Sequence, residues 1–105
     1  MTAATTSAAA QAHALRAAAA FIETAGLAGL SVTADSGGSL ILRVPASAGT
    51  PADRTAAVAM IAVAIGAPAP HRTVFGDCAW IASAGTIGRH PARVTTHIDD
   101  KEQHA

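Results

Sequence analysis

Residues 30–45 read LSVTADSGGSLILRVP, and the reading of this stretch decides the fold. Leu30, Val32 and Ala34 alternate with Ser31, Thr33 and Asp35, which is the period of a strand with one buried face. Ser36-Gly37-Gly38 supplies a turn. Leu40, Leu42 and Val44 then alternate with Ile41 and Arg43 until Pro45, which cannot donate to a ladder, closes the run. The pattern predicts a β-hairpin over residues 30–44.

Upstream, the period changes. From Gln11, the residues Leu15, Ala18, Ala19, Ile22 and Ala25, with Phe21 beside them, share one helical face, and His13, Arg16, Glu23 and Thr24 fall opposite. Gly26 is the stop signal. Residues 2–10 contain only Ala, Thr and Ser, so residues 1–10 are expected to form a disordered or frayed leader.

Downstream, Thr50-Pro51-Ala52-Asp53 has the grammar of a helix start. Thr50 can cap, Pro51 suits the first helical position, and Asp53 can return the bond three residues on. The helix should run to Ile65 and end at Gly66, before Pro68 and Pro70. His71 to Phe75 and Cys78 to Ala84, joined at Gly76-Asp77, predict a second hairpin. Gly85 to Gly88 lacks a lysine and a following helix, so it reads as a strand connection or bulge rather than a phosphate loop. A last strand is expected over Ala92 to Ile98. The order α-β-β-α-β-β-β predicts an α+β two-layer sandwich, with two helices on one face of an antiparallel sheet. Residues 11–98 would form this domain and residues 99–105 a polar tail.

Lysine plus arginine balance aspartate plus glutamate at seven each, and half the residues are apolar. A chain this neutral is a poor general binder of nucleic acid or anionic membranes, which demand a positive excess. Cys78 is the only cysteine, so no intramolecular disulfide forms. The opening Met1-Thr2-Ala3-Ala4 lacks the features of a secretory signal, and the expected compartment is the cytoplasm. The apolar run from Ala56 to Ala67 is shorter than the roughly 20 residues needed to cross a bilayer.

The second helix is the least ordinary segment. Val58, Ile61 and Ile65 lie on one side, and Ala56, Ala59, Met60 and Val63 on the other, with no polar stripe after Thr55. Either the first helix covers that second face, or Ala56, Ala59, Met60 and Val63 form a self-association surface, a dimer being favoured. On the strands, Ser31, Thr33, Arg43, Arg93, Thr95 and His97 are expected to point away from the helices. That face is either ordinary solvated sheet or a shallow site for an anion or a protein partner, with Arg43 and Arg93 as donors beside Thr95 and His97. It lacks the stacked aromatics of sheet-based RNA binders.

Histidines 13, 71, 90, 97 and 104 are scattered, and His97-Ile98-Asp99 alone places two ligand types close together, so no metal and no cofactor are expected. Cys78 with a histidine across the sheet has the elements of a nucleophile and base. The chain shows no nucleophile elbow or acid pair to support that chemistry, so no catalytic residue is assigned and Cys78 reads as a small buried hydrophobe. Trp80 shares its strand face, as the main core aromatic or the floor of a pocket.

Ala14-Leu15-Arg16, Phe21-Ile22-Glu23, the Asp53-Arg54-Thr55-Ala56 helix ending at Gly66, and Gly85-Thr86-Ile87-Gly88 before Val94-Thr95-Thr96-His97 carry a resemblance over most of the chain. The pattern resembles small uncharacterised actinobacterial proteins, often encoded on mobile elements. The resemblance implies a host type; that family offers no established activity or site residue to transfer.

The sequence therefore predicts a non-enzymatic binding or assembly module that self-associates through its second helix and meets a protein partner or small anion on its polar sheet face. The alternative is a small-molecule-binding domain or minor enzyme with a pocket between helices and sheet near Trp80, Cys78 and His97. A DNA-associated regulator would need a basic recognition helix that the chain lacks.

Overall fold

The alternations and caps become elements at nearly the expected places in the computed structural model, which describes residues 3–27 and 29–99. Helix α1 spans Ala3–Ala25, strands β1 and β2 span Ser31–Ala34 and Leu40–Arg43, and a short 3-10 turn covers Ala46–Ala48. Helix α2 spans Pro51–Ala64, followed by β3 (His71–Phe75), β4 (Cys78–Ile87) and β5 (His90–Asp99). Helix α1 starts at Ala3, so the described part of the expected leader continues the helix instead of fraying from it. The expected polar tail lies outside the described residues beyond Asp99, which still belongs to β5.

The sheet order is β1-β2-β5-β4-β3. Three pairs are antiparallel as expected, but β2 and β5 run parallel, with Leu42 beside Val94 and Arg43 beside Thr95. The sheet is therefore mixed, not antiparallel. The cause is topological. Helix α2 carries the chain from β2 to the far edge and returns it to the end where β2 began, so β3 takes the direction of β2. Two tight hairpins then reverse the chain twice and leave β5 parallel to its neighbour β2. Strands β4 and β5 extend further than expected because Ile87 pairs with His90 across a two-residue turn, and the Gly85 to Ile87 segment is strand.

Both helices pack on one face of the sheet. Helix α1 lies over β1 and β2, and α2 over β4 and β5. Leu40, Leu42, Ala79, Ile81, Val94 and Ile98 from the sheet meet Ala14, Ala18, Val58, Ile61, Ala62 and Ile65 in one buried cluster. The α1 stripe is displaced by one position from the expected one: Ala14 and Ala18 are buried while Leu15 is 42% exposed. Alanines on the inner side let the helix axis approach the strands. Leu30 and Val32, expected in the core, are only half-buried at the sheet's β1 edge.

Helix α2 is fixed at both ends. The Asp53 amide donates to Thr50 Oγ1 (3.1 Å) and the Thr50 amide to Asp53 Oδ2 (3.0 Å), the reciprocal bonds the sequence predicted. The Thr50 amide first, and the Thr50 side chain second, hydrogen-bond to the Asp53 carboxyl and hold it below the usual carboxylate range. At the other end Ala67 N–H donates to Ala62 O (2.8 Å) and Gly66 N–H to Val63 O (3.1 Å), with Gly66 at φ 68°. That closure turns the chain sharply and leaves the Ile65 carbonyl free to accept from the Thr86 amide of β4 at 2.9 Å.

Candidate functional site

Three surface features are built by this frame. The first is the outer side of α2. Val58, Ile61 and Ile65 face the sheet, so the helical period turns Ala56, Ala59, Met60 and Val63 outward. Met60 is 69% and Val63 81% exposed, Ala56 is exposed, and Ala59 is half-buried. Helix α1, seated over β1 and β2, does not cover this face. Beyond α2 the edge strand β3 turns Arg72 and Val74 toward the helix side, opposite Ile81 and Ala79, and Val74 is 58% exposed. Between α2 and β3 runs a groove of about 530 Å³ lined by Ala52, Thr55, Ala56, Ala59, Arg72 and Ile98. The outer α2 face thus continues into an uncovered part of the sheet.

The second feature is the sheet face turned away from the helices. Strand parity and register place Ile41 and Arg43 of β2, Arg93 and Thr95 of β5, Trp80, Ala82 and Ala84 of β4, and Thr73 and Phe75 of β3 on it together. The sequence left open whether Arg43 and Arg93 are neighbours. The β2–β5 ladder makes them so: Arg93 pairs with Ile41, and Arg43 with Thr95 two residues further on. Small side chains at Ala82 and Ala84 hollow the middle of the face into an open groove of about 690 Å³, with Trp80 and Phe75 toward one side and the two arginines toward the other. Thr95 is buried at 6% exposure in the floor of this groove, not displayed on a polar surface.

Trp80 was expected in the core, or as the floor of a pocket between helices and sheet. It stands on the open face, half-buried, and so do Cys78 and His97. The pocket near these three residues therefore does not lie between helices and sheet. The inner parity of β4 is Ala79, Ile81, Ser83, Gly85 and Ile87, with Gly85 meeting the end of α2, and alternation leaves Cys78 and Trp80 on the other side. Ser83 Oγ donates to the Pro68 carbonyl at 2.6 Å from that inner side.

The third feature sits at the end of the open face. Cys78 pairs directly with Asp99, and Trp80 with His97. The Cys78 thiol, a His97 ring nitrogen and an Asp99 carboxylate oxygen lie within 4.8 Å of one another. His97 Nδ1 is 3.6 Å from Asp99 Oδ1, and the Trp80 ring leans on the imidazole with centroids 4.7 Å apart. Two further histidines meet elsewhere: His13 Nδ1 and His90 Nε2 are 3.0 Å apart between α1 and the start of β5.

Sequence reasoning passed over Arg54. It is 1% exposed and the largest fully buried side chain. Its Nη1 donates to the Gly49 and Ala46 carbonyls (2.8 and 3.4 Å), and Nη2 to the His97 carbonyl (3.3 Å), which ties the start of α2 to β5. The signal was present in the spacing, since Arg54 stands four residues before Val58 on the stripe that continues through Ile61 and Ile65.

Among the described residues, no helix is long and apolar enough to cross a membrane. Comparison with protein-family models, with curated proteins and with solved structures finds no match to this chain.

Proposed function

We propose that the protein is a non-enzymatic assembly module that forms a two-fold homodimer through the outer face of α2. The exposure of Met60 and Val63 on a helix with no charged residue between Thr55 and Ile65 carries this reading. In a two-fold interface each copy presents the same patch, and Ala56 and Ala59 are small enough for two helices to approach closely. The bare side of β3 and its Val74 extend the patch toward the roughly 1,000 Å² that a specific interface requires. Light scattering over a range of concentrations should give the mass of a dimer. Met60→Glu with Val63→Glu should give a monomer with unchanged circular dichroism, since both side chains already face water. A wild-type monomer at every concentration would defeat the proposal. The setting that fits is the reducing cytoplasm of an actinobacterial host, where an unpaired Cys78 stays a thiol.

The groove on the open face favours a second role in the same protein, binding a small anion or acidic partner segment with an apolar body. Arg43 and Arg93 supply donors that match a carboxylate or phosphate, and Trp80 and Phe75 supply apolar area. Trp80 is the only tryptophan, so its fluorescence reports on the groove directly. Titration with an aromatic carboxylate should shift that emission saturably in the wild type, and Arg43→Ala with Arg93→Ala should weaken the response about tenfold or more. Equal responses from both proteins would remove the arginines from the reading.

A further inference from the structure

We propose that Cys78, His97 and Asp99 form a binding site for a divalent transition-metal ion, zinc by its donor set, at the end of the open sheet face. The three residues come from two strands joined by the longest ladder of the sheet, which runs from Cys78–Asp99 to Ile87–His90. Their backbone spacing is thus set by strand pairing, not by a loop. Cys78 and Asp99 stand opposite each other, and His97 follows on the same face two residues along β5.

The distances suit a small ion. Zinc bonds of about 2.0 Å to nitrogen or oxygen and 2.3 Å to sulfur set tetrahedral donors, one of them sulfur, about 3.3–3.5 Å apart. His97 Nδ1 and Asp99 Oδ1 already lie 3.6 Å apart, and all three donors fall within 4.8 Å. The remainder, on the order of 1 Å, is within the reach of a side-chain torsion change. The Trp80 ring against His97 limits the orientations of the imidazole while Nδ1 stays on the Asp99 side.

The chemistry of the donors selects the ion. A thiolate, an imidazole and a carboxylate together match the charge of a divalent cation and its borderline softness, whereas magnesium and calcium prefer oxygen donors throughout. Cys78 is half-buried and Asp99 exposed, so the site opens to solvent and a water or external ligand completes four-coordination. On binding, the thiol proton passes to solvent, and no bond other than those to the metal is made. This assignment does not depend on the dimer or on the arginine groove.

Cobalt(II) makes the site visible. Metal-free protein titrated with cobalt(II) should develop a saturable thiolate-to-cobalt charge-transfer band at one ion per chain, quench the emission of the adjacent Trp80, and lose the band when zinc is added. Cys78→Ser should abolish the band. His97→Ala and Asp99→Ala should each weaken binding at least about tenfold, the loss found even on removing a group that merely orients a ligand. His13→Ala, which alters only the other histidine pair, should bind as the wild type does. All four positions lie in partly or fully exposed side chains, and circular dichroism verifies that each variant is folded. Absence of a saturable band in the wild type, or a band that survives in folded His97→Ala and Asp99→Ala, overturns the assignment.

Discussion

Replacing Gly85 with alanine is expected to destabilise the protein by about 3 kcal/mol or more, at or beyond the upper end of ordinary overpacking. A Cβ at this position would fall on the Ile65 carbonyl oxygen and within 3.0 Å of the Ala67 nitrogen. Both are backbone atoms of the closing turn of α2, so no side chain can rotate aside. The chain must either lift the end of α2 from β4 or bend the strand, and either movement breaks the bond from the Thr86 amide to the Ile65 carbonyl. In a domain of this size the loss should lower Tm by roughly 10–20 °C. Thermal unfolding followed by circular dichroism checks it, and an unchanged Tm would show that α2 does not sit on β4 as closely as described.

Arg54→Ala should cost about 3–5 kcal/mol, because two losses coincide. A large side chain leaves a void where 1% of its surface met water, and the carbonyls of Ala46, Gly49 and His97 lose a charged donor. Arg54→Lys should recover only part of the loss, since one ammonium cannot span acceptors on the 3-10 turn, the loop before α2 and β5 at once. Urea denaturation of the three proteins should therefore rank arginine above lysine above alanine. Equal stability of the lysine variant and the wild type would mean that charge alone, and not the planar fork, holds the site. Because one acceptor is the His97 carbonyl, the same residue steadies the strand that carries two of the proposed metal ligands.

Much of the fold was legible because its signals are local. Thr50 and Asp53 form the predicted reciprocal cap, Gly26 and Gly66 follow the helix ends, and the turns at Ser36-Gly37-Gly38 and Gly76-Asp77 separate strands of the expected period. The parallel β2–β5 pair was not legible, since no local pattern states which strands become neighbours once α2 has crossed the sheet. The same gap hid the proximity of Arg43 and Arg93, which is a property of that ladder alone.

Composition hid the rest. In β4 both parities are apolar, Cys78, Trp80 and Ala82 against Ala79 and Ile81, so alternation could not say which side faces the helices. The size of Trp80 suggested the core, but Ala79 and Ile81 on either side of it are the residues that face the helices, so strand alternation turns Trp80 to the open face. In α1 the wealth of alanine allowed several stripes to read as apolar, and the buried one proved to be the one with the smaller side chains. The outer face of α2 was visible in the sequence as an anomaly; its exposure settles only that α1 is not its cover.

The parallel ladder also orders events in time. Every antiparallel pair is closed by a short turn, so β3, β4 and β5 can zip together at little cost in chain entropy. Leu40 reaches Ala92 only across the whole of α2, β3 and β4, and β5 offers β2 a template only after its own hairpin with β4 has formed. The β1–β2 hairpin with α1 is thus expected to dock late, and substitutions in the β2–β5 ladder should then change the unfolding rate more than the folding rate.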